Sequence, residues 1–587
     1  MFGQAYEQCQ PRQHRKAAGV FYTPESIVEY MLQKTVAQTD LLQNPFPRIL
    51  DPSCGCGYFL TQCYHLLHGM FEKALPGLQK KFGQQSYLLE QAGNLVQVAG
   101  SEYWQRGNLA AHILSNCLFG ADIDAKAVAL AGQELVLQSG IARADRLNLL
   151  VVDSLSQETV AIPWLSGLWP EAYDYVIGNP PYVSYGLRGV GKITQEQYAL
   201  LIRQYPNSAE YKISLYALFY ELGMRLLKDG GQLAYITPDS FLTGKYFGKL
   251  RHYLASRFAI NSITLLGFDA FPEAKIGRGI VTVITKMPPD NNQVAVRLAG
   301  TEQDLSSGLA ATPYVYEQKY FQVRFPIFFN KDEHEIYDTM QSFGEVFSAH
   351  CRVYSGCIAR YGQNSIVADA PLTEYTVLSP DGGLVWQDRD ALPRWRPLLA
   401  KGACIGQYCI KPSGRYIYIH ENPDIRKLYA KSGFDLTRYQ GEKLFLRQTG
   451  ASLVAAYDQT GYFCLNNMHV ISARGDKVSL KVLLALLNSR LYNFYYRMIT
   501  REENRVMAQI DIDVIKELPL IPVKKPEQVA GWVDELTAAY SEYLTAGAPM
   551  PEKINKQLQD RRRLLEEYLL LELGLSRSLQ AKILGQH

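Results

Sequence analysis

The feature that most constrains the fold is a series of short apolar runs, each followed by turn-forming residues and then by a helical pattern. The series extends from about residue 24 to residue 290. Buried strands that alternate with helices are typical of an α/β domain with a parallel, doubly wound sheet. The five runs that establish the alternation are 48–51, 117–121, 149–152, 175–178 and 232–236. The later runs 263–266 and 280–284 are β-branched and closely spaced, so we expect them to close the sheet as a hairpin.

The length of 587 residues predicts two or three domains. Residues 1–20 are polar and basic, which indicates an N-terminal arm. Turn formers gather at 288–292, and the rest of the chain lacks the strand–helix rhythm. We therefore predict an α/β domain over 21–290 and a mixed α+β domain over 291–587, with a helical tail beyond Pro522.

Composition excludes several classes of protein. A hydrophobic fraction of 47% and a charged fraction of 20% are ordinary for a soluble protein. No apolar run is long enough for a membrane span, and the N-terminus lacks the apolar segment of a signal peptide, so we expect a cytoplasmic protein. Among the ten cysteines no C-x-x-C pair occurs, and we expect no metal. The net charge of +3 allows a polyanionic partner without requiring one.

Small and acidic residues follow three of the predicted strands. The sequence 51–57 reads Asp-Pro-Ser-Cys-Gly-Cys-Gly, in which small residues let a ligand approach the backbone. Asp122 follows the second strand, where an acidic residue commonly accepts hydrogen bonds from ribose hydroxyls, and Asp124 suits the cap of the next helix. Asp153 and Ser154 follow the third strand. Each motif alone is equally compatible with a structural turn.

The motif at the end of the fourth strand is the most specific. Residues 179–182 read Asn-Pro-Pro-Tyr. Consecutive prolines fix the backbone and remove its donors, so carbonyl groups remain to accept hydrogen bonds. The amide of Asn179 adds an acceptor and Tyr182 adds a stacking face. The alternative, a rigid turn that leaves a strand, does not account for the three motifs that precede it, so we expect a cradle for a planar amine.

In this order, Tyr22-Thr23-Pro24, the glycine loop 51–57, Asp122, Asp153 and 179–182 resemble the TaqI-like (gamma) group of N6-adenine DNA methyltransferases. The resemblance implies a Rossmann-like S-adenosylmethionine-dependent methyltransferase domain followed by a target-recognition domain. Similarity to the family's specificity domain is carried by 445–450, 466–469 and 486–489. Residues 44–50 together with 53–57 look especially like the orphan CamA-type enzymes of spore-forming Firmicutes.

The resemblance also implies roles for individual residues. Asn179 and Pro180 would accept the two hydrogens of an adenine N6 amine, Tyr182 would stack on the flipped base beside Pro181, and Phe247 would cover its other face. The cofactor would be bound by Tyr22, Thr23, Pro24, Asp51, Ser53, Cys54, Gly55, Gly57, Asp122, Ile123, Asp153, Ser154 and Asn179. Alignment of a sulfonium methyl donor with the amine needs no strong general base.

The predicted second domain is locally basic. Residues 401–500 carry 14 Lys and Arg against 6 Asp and Glu, which favours contact with DNA phosphates and base edges. A solvated charged face is an equally good interpretation for any single residue. The predicted DNA-binding residues are Arg12, Arg15, Lys16, Lys411, Arg415, Arg438, Tyr439, Lys443 and Arg447.

Two alternative functions remain. Asn-Pro-Pro-Tyr also occurs in enzymes that methylate RNA or protein glutamine, but those are usually smaller. A bifunctional restriction–modification enzyme would carry a nuclease domain before the methyltransferase. About twenty residues precede Tyr22 and they contain no Asp…Glu-x-Lys cluster, so we expect an enzyme on double-stranded DNA without nuclease activity. Asymmetric recognition would suit a monomer, and a separate cognate restriction endonuclease is the expected partner in the restriction–modification case.

Overall fold

The computed structural model describes residues 22–91, 94–141, 147–156, 171–185, 193–272, 278–306, 312–501, 508–546 and 551–585. The chain divides into two compact units, Met1–Phe329 and Asn330–His587. The division therefore lies about forty residues beyond the boundary that the sequence predicts.

The first unit is built on a nine-stranded sheet with short hairpins attached. Its strands are β1 (Ile49–Asp51), β2 (Ser86–Gln91), β3 (Asn94–Ala99), β4 (Leu118–Asp122), β5 (Asn148–Val151), β6 (Tyr173–Gly178), β7 (Ser184–Tyr185), β8 (Ile213–Ser214), β9 (Leu227–Pro238), β10 (Ala259–Leu266), β11 (Gly279–Thr285), β12 (Gln293–Ala299) and β13 (Tyr314–Glu317). The order across the sheet is β13-β12-β10-β11-β9-β6-β1-β4-β5.

The strand directions confirm the predicted doubly wound sheet. Neighbouring strands run parallel from β5 through β4, β1 and β6 to β9. The parallel strands thus follow the doubly wound order 3-2-1-4-5. The predicted hairpin is present, because β11 pairs antiparallel with β10 and lies between β10 and β9. The prediction that it closes the sheet was wrong, because β12 and β13 extend the sheet beyond β10. Every residue of β11 is buried, as expected for a strand covered on both faces.

The sheet continues past residue 290. β12 pairs parallel with β10, and β13 pairs antiparallel with β12. The turn formers at 288–292 therefore connect two strands of one sheet and are not a linker between domains. Asn292 reinforces this connection, since its Nδ2 donates to the carbonyl of Ile260 at 2.8 Å.

Helices follow most strands of the first unit. They are α1 (Glu25–Lys34), α2 (Tyr58–Phe82), α3 (Gly100–Tyr103), α4 (Leu109–His112), α5 (Ala125–Ser139), α6 (Gln195–Gln204), α7 (Leu215–Leu226), α8 (Ser240–Thr243), α9 (Gly248–Arg257) and α10 (Gln303–Ser306). Asp124 caps α5, because its side chain accepts from the backbone N–H groups of Lys126 and Ala127. The cap role predicted for Asp124 is thereby confirmed.

The second unit contains two four-stranded sheets, β14-β27-β24-β25 and β16-β22-β19-β26. Its strands are β14 (Cys351–Ser355), β15 (Ile358–Ala359), β16 (Val367–Ala368), β17 (Tyr375–Leu378), β18 (Leu384–Asp388), β19 (Trp395–Leu399), β20 (Ile405–Gly406), β21 (Cys409–Ile410), β22 (Arg415–Tyr418), β23 (Ala430–Ser432), β24 (Lys443–Arg447), β25 (Ala455–Asp458), β26 (Phe463–Cys464) and β27 (Met468–Ala473).

The helices of the second unit lie at its two chain ends, with one helix between the strands. They are α11 (Lys331–Gln341), α12 (Phe347–His350), α13 (Pro423–Tyr429), α14 (Leu480–Asn488), α15 (Arg490–Thr500), α16 (Ile512–Glu517), α17 (Pro526–Ala546), α18 (Glu552–Glu572) and α19 (Arg577–Leu584). The last three confirm the predicted helical tail. Within the described ranges, no helix has the length and apolarity that a bilayer crossing requires.

Candidate active site

The carboxyl ends of the five parallel strands meet at one edge of the large sheet. The strand order reverses between β1 and β6, and ligands of doubly wound sheets bind in the crevice that forms at such a reversal. Asp51 ends β1, Asp122 ends β4, and Asn179 directly follows β6. Three of the four predicted motifs therefore lie at this crevice.

The glycine loop is fastened to the end of β4. The backbone N–H of Cys54 donates to the carbonyl of Ala121 at 2.9 Å, and that of Gly55 donates to Asp122 Oδ2 at 2.8 Å. Gly57 has a φ of +80°, and a Cβ there would lie 2.7 Å from the Cβ of Ala131. Glycine at this position thus allows the loop to pack directly on α5.

Asp51 is buried beneath this loop. Its Oδ1 accepts from the backbone N–H of Ser53 at 3.0 Å. Burial raises the pKa of the carboxyl from 3.8 to about 8, and the nearby charge of Asp122 adds to that increase. Burial also raises the pKa of Asp122. Burial thus disfavours negative charge at this crevice, and a cationic ligand there would stabilise the ionised form of either carboxyl.

The end of β5 is tied to the same loop. Ser154 Oγ donates to the carbonyl of Pro52 at 2.6 Å, and Asp153 Oδ1 accepts from the N–H of Leu155 at 3.0 Å. Ile123, next to Asp122, leaves 73% of its surface exposed at this edge. An exposed isoleucine beside two carboxylates combines an apolar face with acceptors for hydroxyl groups.

The residues at this edge therefore fit a nucleoside-bearing, positively charged ligand. Asp122 and Asp153 supply acceptors, Ile123 supplies an apolar surface, and the glycine loop allows close approach of the backbone. Tyr22 adds an aromatic wall, since its ring lies 4.9 Å from that of Tyr58 at an angle of 49°.

Asn179 is held by a contact from the start of the described chain. Its Nδ2 donates to Thr23 Oγ1 at 3.0 Å, and Thr23 is buried. With the nitrogen fixed on Thr23, the carbonyl oxygen of the amide is directed away from that residue. Pro24, which follows Thr23, is the residue from which α1 begins. The motif at 22–24 and the motif at 179–182 are thereby joined by one hydrogen bond.

Three aromatic side chains, those of Tyr182, Tyr216 and Phe247, pack together, and the first of them lies three residues after Asn179. Tyr182 donates from its hydroxyl to the carbonyl of Ile236 at 3.2 Å, and burial raises its pKa, so it stays a neutral phenol. The ring of Tyr216 is edge-on to that of Tyr182 at 6.2 Å and 89°, and is stacked on that of Phe247 at 5.4 Å and 19°. Tyr182 and Phe247 are thus linked through a third ring, that of Tyr216.

Tyr216 is the site residue that the sequence did not reveal. It lies in the first turn of α7, is buried, and its hydroxyl pairs with Ser240 Oγ at 2.9 Å. No motif marks it, because an aromatic residue in an apolar helix looks like an ordinary core residue. Its link to the site is visible only in the structure, where β7 pairs with β8. This pairing brings the chain just before Tyr216 beside the chain just after Tyr182.

Two of the predicted DNA-binding residues belong to the core of the second unit. Lys443 is fully buried, and its Nζ forms an ion pair with Asp458 Oδ2 at 2.7 Å. The ring of Tyr439 stacks on that of Phe463 at 4.1 Å and 23°, and the residue is 2% exposed. The prediction for these two was wrong, because neither side chain reaches the surface where a phosphate could be met.

The remaining predicted residues divide into tethered and exposed side chains. Arg447 Nε donates to the carbonyl of Ile405 at 2.8 Å, and the Arg438 guanidinium lies 4.3 Å from the ring centre of Tyr354. Arg415 pairs with an exposed carboxylate, that of Asp369, at 2.7 Å. Lys411 is exposed. Arg12, Arg15 and Lys16 lie outside the described residues.

Potential metal ligands do not cluster in the described chain. No group of three or more His, Cys, Asp or Glu side chains is arranged there to hold a metal ion.

Comparison with protein families identifies two segments of the chain. The Eco57I restriction-modification methylase family matches residues 116–271, which include the ends of β4, β5 and β6 and the three aromatic residues. The TaqI-like C-terminal specificity domain matches residues 397–520.

Several curated relatives are restriction–modification proteins. The type II restriction enzyme and methyltransferase RM.Eco57I of Escherichia coli is 23% identical over 44% of this chain and 27% of its own length. The type II methyltransferase M.TthHB8I of Thermus thermophilus is 23% identical over 62% of this chain and 77% of its own length. M.PaeR7I of Pseudomonas aeruginosa is 25% identical over 51% of this chain and 46% of its own length. The chain thus spans about a quarter of the Escherichia coli protein and less than half of M.PaeR7I.

Solved structures share the fold. The type IIL restriction–modification enzyme MmeI, solved in complex with DNA, has a TM-score of 0.57 and 13% identity over 100% of this chain and 81% of its own. The DrdV–DNA complex has a TM-score of 0.56 and 13% identity over 94% of this chain and 60% of its own.

The strand order and the strand-end site define the class as a Rossmann-like methyltransferase domain with a C-terminal specificity domain. More particularly, residues 116–271 are similar to the Eco57I-type methylase family and residues 397–520 to the TaqI-like specificity domain. The resemblance to the TaqI-like group, stated from the sequence, is confirmed. The narrower likeness to CamA-type enzymes stays a prediction.

Proposed function

We propose that this protein is a site-specific DNA methyltransferase that transfers a methyl group from S-adenosylmethionine to the N6 amine of an adenine extruded from duplex DNA. The observation that carries the proposal is the amide of Asn179, which Thr23 fixes at the strand-order reversal, with Tyr182 three residues further along the chain. The relatives, which are named as type II methyltransferases, support the class of reaction.

The cofactor fits the residues around the glycine loop. Asp122 would accept from the ribose hydroxyls, and Asp153 would accept from the adenine amine of the cofactor. Ile123 would pack on the purine, and the positive charge on sulfur would stabilise the ionised form of the buried Asp51. The bound cofactor would supply a methyl group on a positively charged sulfur, and the neutral thioether that remains is a good leaving group. The protein's own task is then to hold the acceptor nitrogen in line with that methyl group.

Asn179 and Pro180 prepare the acceptor nitrogen. Conjugation with the ring makes the amine of adenine a poor nucleophile. Hydrogen bonds from its two hydrogens to the Asn179 side-chain oxygen and the Pro180 carbonyl localise the nitrogen lone pair. Held in this way, the nitrogen would accept the methyl group that the bound cofactor supplies, with the electron pair of the broken carbon–sulfur bond left on sulfur, and would then lose one proton to solvent.

The aromatic residues orient the base. Because Tyr216 is 19° from parallel to Phe247 and 89° from parallel to Tyr182, the planes of Tyr182 and Phe247 are at least about 70° apart. A base stacked face to face on one ring therefore meets the other edge-on. The family resemblance implies instead that the base lies between two parallel rings, those of Tyr182 and Phe247. Edge-to-face contacts are similarly favourable.

Duplex DNA is the proposed partner, and extrusion of a base costs a few kcal/mol that protein contacts must supply. In the second unit, exposed or partly exposed cations such as Lys411, Arg415 and Arg447 remain candidates for phosphate contact. We propose a monomer that methylates without cleaving, with a separate endonuclease where the host uses the site for restriction.

The test measures transfer of tritium from labelled S-adenosylmethionine to duplex DNA, to RNA and to protein, followed by nucleoside analysis. We expect label in duplex DNA as N6-methyladenine and no cleavage in magnesium buffer. Label in RNA or in protein glutamine, or label in DNA as a methylated cytosine, would overturn the assignment. Sequencing of the methylated DNA then gives the recognition site.

A further inference from the structure

One tyrosine of the first unit is unlike every other described aromatic residue. Tyr211 leaves 62% of its surface exposed, and every other Phe, Tyr or Trp whose side chain the structure describes is at least partly buried. Its ring lies 5.9 Å from that of Tyr246 at an angle of 37°. An exposed ring that continues into a partly buried one forms a contiguous apolar surface, and such surfaces mark contact sites.

The pair lies beside the aromatic pocket in sequence and in structure. Tyr246 precedes Phe247, and Tyr211 precedes β8, which leads directly into Tyr216. β8 pairs with β7, which starts two residues after Tyr182. Tyr211 and Tyr246 therefore belong to the two segments that supply Tyr216 and Phe247, the rings opposite Tyr182.

The loop that carries Tyr211 is held in place by buried polar contacts. Glu221, fully buried in α7, accepts from the backbone N–H of Asn207 at 3.1 Å, from its Nδ2 at 2.8 Å and from Ser208 Oγ at 2.6 Å. Lys249 Nζ donates to the carbonyl of Ala209 at 3.3 Å. These contacts fix the segment just before Tyr211, so the ring is presented from an ordered loop.

The surroundings of the pair are basic. Lys212, Lys245 and Lys249 are exposed, and Glu210 is the one acidic residue in the segments 210–212 and 245–249. Asp239, at the end of β9, is buried in an ion pair with Arg278 at 3.4 Å. The excess of positive charge suits phosphate groups.

We infer that Tyr211, Lys212, Lys245 and Tyr246, here called the rim, bind the DNA strand on either side of the extruded nucleotide. Tyr211 stacks on a base next to the target, Tyr246 supports that ring, and the two lysines contact flanking phosphates. Stacking of bases on exposed aromatic rings is largely independent of sequence, so the rim contributes affinity and not specificity. The inference rests on the proposed function, since it names the part of the substrate that this site binds.

The first experiment compares Tyr211→Ala, Tyr211→Phe and Tyr211→Leu in steady-state methylation of unmodified genomic DNA. Loss of one stacked base predicts a KM for DNA that is higher by about 5-fold to about 150-fold in Tyr211→Ala and Tyr211→Leu. We expect Tyr211→Phe to stay within about twofold of the wild type, and kcat to change little in all three. Leu137→Ala is the matched control, because Leu137 is also 62% exposed and lies in α5.

The second experiment uses a mixed-sequence duplex and measures the dissociation constant against salt concentration. Lys212→Gln and Lys245→Gln should each reduce the slope of log K on log salt by about one, and Lys73→Gln should not. Lys73 is exposed in α2, about 22 Å along the helix from its start at the glycine loop.

The outcomes separate the two proposals. A wild type that methylates no DNA refutes the proposed function, while the salt slopes still test the rim. With methylation established, an unchanged KM in Tyr211→Ala, full rescue by Tyr211→Leu, or unchanged salt slopes in both lysine variants would each overturn the inference.

Discussion

The carboxylate of Asp51 lies against the backbone of Gly178. A Cβ added to Gly178 would be 2.6 Å from Asp51 Oδ1 and 3.0 Å from its Cγ. Asp51 belongs to β1 and Gly178 to β6, the two strands between which the order of the sheet reverses. The buried acid and the backbone that leads into Asn179 are thus in direct contact.

Replacement of Gly178 by alanine should damage both stability and activity. The added methyl group must displace either the Asp51 carboxylate or the chain that carries Asn179, and overpacking of this kind costs about 1–3 kcal/mol. We expect urea unfolding to show this loss, together with a fall in methylation of at least about tenfold. Gly69→Ala is the control: Gly69 is in α2 with open space around it, so the variant should be as stable as the wild type or slightly more.

The raised pKa of Asp51 predicts a pH-dependent cost. The carboxyl keeps its proton up to about pH 8 in the folded protein but loses it near pH 3.8 in the unfolded chain. Between these values the folded state holds one more proton, so the free energy of unfolding falls as pH rises, by at most about 1.4 kcal/mol per pH unit. Asp51→Asn removes this dependence, so its stability relative to the wild type should increase from pH 5 to pH 8.

Urea titrations at several pH values check this prediction. Asp229→Asn serves as the control, because Asp229 is exposed at the start of β9 and its replacement should leave the pH profile of the wild type unchanged. Parallel profiles for the wild type and Asp51→Asn would show that the buried carboxyl is ionised across this range.

The sheet and its strand-end motifs could be predicted because each strand is a local apolar run and each motif follows one directly. Parallel strands place their carboxyl ends at one edge, so local patterns were sufficient to gather Asp51, Asp122 and Asn179. Tyr216 and the contact from Thr23 to Asn179 depend on packing between segments far apart in the chain. Sequence periodicity contains no information on such packing.

The hydrogen bond from Asn179 to Thr23 predicts a graded effect on catalysis. Thr23→Val removes the acceptor but keeps the shape, and loss of one neutral hydrogen bond costs about 1 kcal/mol, or roughly a fivefold lower kcat. Thr23→Ser keeps the hydroxyl and should stay close to the wild type. Single-turnover methylation with saturating DNA and cofactor measures the effect. Equal rates in Thr23→Val and the wild type would show that Asn179 is oriented without this contact.

Asn179 itself should be indispensable for methyl transfer but not for cofactor binding. Asn179→Ala removes one acceptor for the amine hydrogens, and we expect activity between about one hundredth and about one thousandth of the wild type, the range seen when an oriented polar group is lost from an active site. Calorimetry with S-adenosylmethionine should give nearly the same affinity for both proteins. Retention of methylation in this variant would remove Asn179 from the reaction.

In the second unit the sequence was a poorer guide, and Lys443 shows why. A lysine in a basic, aromatic segment is indistinguishable by pattern from a DNA contact, yet the register of β24 and β25 places it directly opposite Asp458. Asp458 also accepts from the N–H of Thr460 at 2.9 Å and of Tyr462 at 3.1 Å, so the buried pair also holds the turn that follows β25. Strand register decides the role of this residue, and register could not be read from one sequence.

Lys443→Ala is therefore expected to act on folding and not on DNA affinity. Removal of one partner leaves the Asp458 carboxylate buried without its counter-charge, and losses of about 3–5 kcal/mol are usual in that situation. Lys411→Ala, at an exposed lysine, should leave stability within about 0.5 kcal/mol of the wild type. Urea unfolding distinguishes the two variants, and DNA binding at a temperature where both are folded completes the comparison.

The salt slope of Lys443→Ala should match the wild type, because a side chain with no exposed surface displaces no counterion from DNA. A stable Lys443→Ala protein with a reduced salt slope would mean that this strand pair opens when DNA binds.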